Sequence, residues 1–187
     1  MCALPGYRLR RYAALLGTGG VIAYPTEAVY GLGCDPLRND AVTRLLELKG
    51  RSVHKGLILI SADIASLVAY MAPIEEQLAA RMRASWPGPV TWVLPAAAGV
   101  PAWLTGDRAT IALRVTAHPI AGALCRAFGG ALVSTSANRA GSVPARTALR
   151  TRLLFGPRLD AVVPGKVGAL DRPTRIIDAR SGAVLRE

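Results

Sequence analysis

The apolar residues of this 187-residue chain fall into short runs of two kinds, and the kinds alternate. Leu9 to Leu16 recurs at helical spacing and is closed by Gly17, after which VIAY at 21–24 reads as a buried strand stopped by Pro25. A loop is predicted directly after it. Asn39 or Asp40 then caps a helix in which Val42, Leu45, Leu46 and Lys49 share a face, with Gly50 past its end. LILI at 57–60 is the next buried strand, followed by helices over 63–70 and 74–84, a WPGP turn and a strand over 90–94. The remainder predicts a strand over 110–115, a helix over 119–128, a strand over 131–134, a Gly/Pro/Arg-rich loop, a short helix over 147–155, and short strands over 161–163, 175–178 and 183–186. Interleaved helices and strands of this kind predict an α/β fold: one domain over residues 1–187, built on a large twisted sheet flanked by helices. The sheet is expected to mix parallel and antiparallel pairs, because some late connections are too short for a parallel crossover.

Composition narrows the class. With 51% hydrophobic and 19% charged residues the chain is too apolar to be disordered. Its length supports a full core without disulfides or a structural metal. Cys2, Cys34 and Cys125 are widely spaced without a CxxC, and His54 and His118 are the only histidines, which argues against a disulfide framework and a zinc site and fits a reducing cytoplasm. Arg8, Arg10 and Arg11 precede an uncharged stretch that resembles a signal peptide, but GTGG at 17–20 interrupts it and no small-x-small cleavage site precedes Glu27. The uncharged segment 84–106 holds four prolines and three glycines and is no membrane helix.

Charge is the unusual feature: 23 Lys+Arg against 12 Asp+Glu give +11, and all but Lys49, Lys55 and Lys166 of the basic residues are Arg. Between Asp107 and Asp160 there is no carboxylate, whereas Arg108, Arg114, Arg126, Arg139, Arg146, Arg150, Arg152 and Arg158 fall there. Such a block attracts polyanions: nucleic acid, nucleotide phosphates or an anionic surface.

Four segments concentrate polar groups at strand ends, where α/β sheets place ligands. PTEAVYGLG at 25–33 offers the Thr26 hydroxyl and the Glu27 carboxylate, with Gly31 and Gly33 permitting close backbone approach or positive φ; an ordinary turn around a buried Tyr30 fits the same residues. LKGRSVHKG at 48–56 brackets a turn with Lys49, Arg51 and Lys55, which can converge on one anion, although solvated cations at a helix C-terminus are the plainer reading. Arg114 interrupts the apolar strand IALRV and needs a partner or an open pocket. STSAN at 134–138 presents three hydroxyls, the Asn138 amide and backbone N–H groups as a cradle for phosphate oxygens. Neither GxxxxGK[ST] nor GxGxxG is present, so a nucleotide site would be of another kind.

In this order PTEAVYGLG, LKGR…KGLILI, SWPGPVTWVLP, ALRVTAHP, LVSTSAN and PTRIIDARSGAVLR resemble the YrdC-like threonylcarbamoyl-AMP synthases, particularly their short bacterial form, over residues 8–187. The resemblance implies a YrdC-like fold and a reaction in which L-threonine, bicarbonate or CO2, and ATP give threonylcarbamoyl-adenylate and pyrophosphate. That product feeds the threonylcarbamoylation of adenosine in tRNAs reading codons that begin with A. The resemblance assigns Lys49, Arg51 and Arg114 to catalysis. It assigns Arg51, Lys55, Thr110, Ser136, Asn138 and Arg186 to ATP, and Thr26, Tyr30, Arg114, Ser134 and Thr174 to threonine. Mg²⁺ is expected on the ATP phosphates without a protein metal site, and no zinc, haem or flavin is implied. Longer relatives usually read PTET where this chain has Ala28 and carry His at the position of Ile60, so the short form is expected to complete its threonine pocket differently. The partners implied are the small substrates, tRNA and the downstream threonylcarbamoyl-transfer proteins, in the cytoplasm and away from membranes. The competing reading is sequence-independent binding of double-stranded RNA or tRNA, or a ribosome-assembly role, through Arg126, Arg139, Arg146 and Arg150.

Overall fold

The computed structural model describes residues 4–186. In chain order the elements are α1 (Gly6–Gly17), β1 (Ile22–Pro25), β2 (Tyr30–Gly33), α2 (Asn39–Lys49), β3 (Ile58–Ser61), α3 (Ala65–Val68), α4 (Glu76–Ser85), β4 (Val90–Pro95), α5 (Ala102–Thr105), β5 (Thr110–Val115), α6 (Pro119–Phe128), β6 (Leu132–Ser136), α7 (Ala148–Phe155), β7 (Ala161–Val162), β8 (Arg175–Asp178) and β9 (Val184–Arg186). All nine strands join one sheet in the order β7-β1-β2-β6-β3-β5-β4-β8-β9. The β1–β7, β3–β5 and β4–β8 pairs are parallel and the other five antiparallel, so the mixed α/β sheet expected from the sequence is what forms.

Alternation along the strands sorts side chains onto two faces. On one face Ala23, Leu59, Ile111, Leu113 and Val133 join the large core that takes in α2, Met82 of α4 and Phe155 of α7. On the other, Ile22, Tyr24, Ile60 and Leu132 pack against Leu16 of α1 and Ile120, Leu124 and Cys125 of α6. These two helices cover only part of that second face. Farther along it, Ile58, Thr110, Ala112, Arg114, Ser134 and Ser136 look into an open cavity. Among the described residues no helix is long and apolar enough to cross a membrane.

The chain departs from the sequence pattern in three places. Directly after Pro25, where a loop is expected, it reverses into β2, with Pro25 opposite Tyr30 and Ile22 opposite Gly33. Glycine here serves close approach rather than positive φ, which neither Gly31 nor Gly33 adopts. A Cβ at Gly33 would lie 2.5 Å from the Val133 carbonyl oxygen and 2.7 Å from the Tyr24 ring. Second, neither Asn39 nor Asp40 caps α2; the preceding residue is Arg38, whose guanidinium pairs with Asp40 in the first turn. Third, the helix expected over 63–70 shortens to Ala65–Val68, and α5, a single turn after Pro101, is too short to show a period. Ile60, where longer relatives carry His, sits beside Arg114 in the β3–β5 register and is fully buried under α6.

A connection without regular structure, residues 163–173, runs back across the β1–β2 turn as a strap. The Val163 amide donates to Ala23 O (2.8 Å), the Gly168 amide to Thr26 O (2.9 Å) and the Leu170 amide to Glu27 O (3.2 Å). Tyr30 Oη donates to Gly165 O (2.6 Å), and Arg146 donates to the Leu170 and Asp171 carbonyls. Pro173 and Thr174, where the strap ends, border the cavity.

Gly33→Ala should therefore overpack the β1–β2–β6 crossing and lower unfolding stability by about 1–3 kcal/mol, measured by urea or thermal unfolding; an unchanged midpoint would contradict the close approach.

Candidate active site

The open part of the sheet face holds a cavity of about 440 Å³. Five cations border it: Arg51 and Lys55 after α2, Arg108 before β5, Arg114 within β5 and Arg186 in β9. Asp178 is the one carboxylate on its wall among the described residues, and three donors from the following turn already engage its Oδ1. Thr26, Thr110, Ser134, Thr135, Ser136 and Thr174 add hydroxyls. The apolar remainder includes Ala28, Ile58, Val93, Leu104, Ile176 and Leu185.

The cations crowd one another. Burial, and then the Arg108 charge, lower the Arg51 pKa; burial, and then the charges of Arg114 and Arg51, lower that of Arg186. Arg51 Nη2 donates to the Gly56 carbonyl at 3.0 Å, yet its Nε is buried without a hydrogen-bond partner, as is Arg114 Nε. A wall of mutually repelling guanidiniums with unmatched N–H groups is built to receive an anion.

Arg114 is held by Glu27. Their Nη1–Oε2 distance is 2.5 Å and both side chains are buried. The second oxygen, Glu27 Oε1, accepts from Thr116 Oγ1 (2.7 Å) and the Ala117 amide (3.1 Å). Burial pushes the Glu27 pKa up, but the Arg114 charge and these donors outweigh it and hold the carboxyl below its ordinary value. Thr116 Oγ1 also accepts from the His118 amide (3.1 Å). His118 Nε2, facing a carbonyl that can only accept, donates to Lys166 O at 3.1 Å and so joins this network to the strap. Burial lowers the His118 pKa.

Of the residues expected at the site, Arg51, Lys55, Arg114, Thr110, Ser136, Arg186, Thr26, Ser134 and Thr174 border the cavity. Three do not. Lys49 is buried behind β6, donating to the Ser136 and Asn138 carbonyls (2.5 and 2.9 Å) and to Asn138 Oδ1 (3.2 Å), and burial, with the Arg51 charge, pulls its pKa down to about 8. Asn138 has its amide fully engaged, accepting from Ser136 Oγ and Lys49 and donating to the Arg139 and Ser142 carbonyls. Tyr30 is core and holds the strap. The STSAN turn is thus no backbone cradle: the Ala137 and Asn138 amides donate to the Tyr30 and Ser136 carbonyls, leaving hydroxyls as its offering.

Glu27 and Arg108 belong to the assembly and are absent from the expected set, although Glu27 stands in the PTEAVYGLG motif and Arg108 opens the acid-free block. The arginines expected to face RNA lie on separate segments, with Arg139 exposed after the turn that follows β6. Arg126 rides on α6 and Arg150 on α7, and these helices pack against opposite faces of the sheet. Arg146 is engaged with the strap. No cluster of three or more His, Cys, Asp or Glu side chains that could hold a metal occurs among the described residues.

Two outcomes follow from this geometry. Lys49→Ala leaves the Asn138 carbonyl without its donor and removes a second donor from Ser136 O and Asn138 Oδ1, and should lower unfolding stability by about 1–3 kcal/mol, read by denaturant titration. Because Glu27 binds its proton more weakly folded than unfolded, its contribution is complete above the ordinary carboxylate pKa and is lost as pH falls through the lower folded value. Thermal melting across acid pH should show this loss, and Glu27→Gln should remove that part of the pH dependence.

The family model Sua5/YciO/YrdC, described as "Telomere recombination", matches residues 14–187. Proteins named threonylcarbamoyl-AMP synthase are similar along nearly the whole chain: that of Halorhodospira halophila is 59% identical over 96% of this chain and 94% of its own length, and that of Nitrosococcus oceani is 54% identical over 98% and 100%. Among solved structures, P. abyssi Sua5 complexed with L-threonine superposes with a TM-score of 0.93 at 30% identity, covering 99% of this chain, which spans 55% of that longer protein. E. coli YciO superposes at 0.88 with 28% identity, covering 98% of this chain and 90% of that one. Matched over nearly its whole length in sequence and in backbone, the chain belongs to the Sua5/YciO/YrdC family.

Proposed function

We propose that this protein is an L-threonylcarbamoyl-adenylate synthase. The observation that carries the reading is the convergence of Arg51, Lys55, Arg108, Arg114 and Arg186 on one cavity, two of them with an unpartnered buried Nε. The names of relatives at 50–59% identity point the same way. In this reading the threonine amine adds to CO2, losing a proton and giving a carbamate. A carbamate oxygen then attacks the α-phosphorus of ATP, and the bond to the bridging oxygen of the β-phosphate breaks to release pyrophosphate. Nucleophile and electrophile are both anionic, so catalysis is mainly charge neutralisation and alignment, with no protein nucleophile.

The residues divide by position. Arg51, Lys55 and Arg108 would surround the triphosphate, with Ser136 at its edge; Thr110 and Arg186 would contact the nucleotide. Arg114 would grip the threonine carboxylate between Thr26, Ser134 and Thr174. Lys49 and Asn138 would act indirectly, by holding the turn that carries Ser136. Mg²⁺ would enter as part of the nucleotide substrate, held by phosphate oxygens. The product is a mixed anhydride, prone to hydrolysis, and suits prompt use by a carbamoyl-transferring enzyme acting on tRNA in the cytoplasm.

Purified protein should release pyrophosphate only when threonine, bicarbonate and Mg-ATP are all present; threonine-independent release, or none, defeats the reading. Arg114→Ala would strand Glu27, so the cleaner probe is Arg51→Ala, which should lower kcat/KM by about 100-fold or more with an unaltered melting profile. Near-normal turnover in that variant would refute the phosphate assignment.

A further inference from the structure

We propose that Glu27 is the positioning residue that makes this site select an amino acid with a free α-carboxylate, by locking the orientation of Arg114; the assignment rests on threonine being the amino-acid substrate. A guanidinium presents flat edges to a carboxylate, and a two-point match depends on which edge faces the ligand. In Arg114 the Nη1 corner is taken by Glu27 Oε2 at 2.5 Å, while Nε and Nη2, which form the adjoining edge, make no hydrogen bond within the described residues. With one corner held by Glu27 the orientation of the guanidinium is restricted, and Arg114 stands on the side of β5 that looks into the cavity. Glu27 is itself fixed: Oε1 accepts from Thr116 Oγ1 and the Ala117 amide, and both residues stand at the end of β5.

The contacts of Glu27 divide cleanly between side chain and main chain. Its backbone carbonyl accepts from the Leu170 amide of the strap, and a Cβ on Gly168 would lie 2.5 Å from that oxygen. Side-chain replacement leaves these strap contacts in place, so a variant reads the carboxylate alone. Glu27→Gln keeps the shape but turns a charged acceptor into an amide that cannot both receive Thr116 and hold Arg114 with full strength.

The test compares L-threonine with L-threoninamide, which keeps the amine and side chain but lacks the carboxylate, in the pyrophosphate-release assay. In the unsubstituted protein threonine should be strongly preferred. Glu27→Gln should lower kcat/KM for threonine at least about tenfold, through KM, while leaving KM for ATP within about twofold and threoninamide turnover unchanged, so the preference collapses by the same factor. Thr116→Val, which retains the Glu27 charge and removes one of its supports, should move the preference in the same direction by less. A folded Glu27→Gln protein with undiminished preference, or with equal losses on both substrates, overturns the proposal. If circular dichroism shows Glu27→Gln unfolded, an unchanged preference in Thr116→Val overturns it. Absence of threonine-dependent turnover in the unsubstituted protein would bring down the synthase reading instead, and this assignment with it.

Discussion

The buried ion pair between Arg114 and Glu27 is the constraint around which the rest is arranged. Removing both charges from water costs several kcal/mol per ion, and one contact does not repay that; the carboxylate is stabilised only with the Thr116 hydroxyl and the Ala117 amide also on it. Those donors come from the end of β5, the carboxylate comes from the β1–β2 turn, and that turn carries the strap on its backbone carbonyls. Sheet, turn and strap are therefore tied at the point where the covered part of the sheet face gives way to the open part.

That face does two jobs along one surface. Under α1 and α6 it is apolar, with Ile22, Tyr24, Ile60 and Leu132 in a sealed cluster. Where the helices end, the same rows of side chains continue as Ser134 and Ser136 in β6 and as Thr110, Ala112 and Arg114 in β5. Left open, it gathers cations whose neighbours and burial both disfavour their charge. Such a wall is poised for a polyanion, since a bound anion relieves the repulsion among Arg51, Arg108, Arg114 and Arg186 and supplies partners to buried N–H groups. Five of the 23 basic residues behind the +11 charge border this cavity. Of the arginines expected to face RNA, Arg126 and Arg150 lie on helices packed against opposite sides of the sheet and Arg146 engages the strap.

Lys49 lies in the expected segment, and in this structure its ammonium meets protein groups. Its position at the end of a helix, two residues before Arg51, suggests three cations on one anion. Arg51 and Lys55 do border the cavity, but Lys49 leaves the same turn on the side of β6 and engages the Ser136–Asn138 backbone. Its three N–H groups find three carbonyl-type acceptors, so its effect on the cavity passes through the turn carrying Ser136.

The amino-acid sequence by itself determined the α/β class, most of the helices and strands, and the segments that meet at the cavity, because periodicity and turn residues are local properties of the chain. Arg114 was conspicuous because it interrupts an apolar strand and needs a partner or an open pocket. What only the tertiary structure decided was which polar groups satisfy one another. Strand β2 is not legible because two glycines in YGLG weaken a strand pattern, and the reason for Gly33 is the Val133 carbonyl on a strand distant in sequence. Tyr30, Asn138 and Lys49 carry the donors and acceptors of ligand-binding residues, yet long-range partners engage them first. Glu27 carries the charge of a catalytic carboxylate, and a guanidinium 87 residues along the chain turns it into a clamp. Residue type reveals the capacity to make such contacts, whereas the fold determines whether a ligand or the protein receives them.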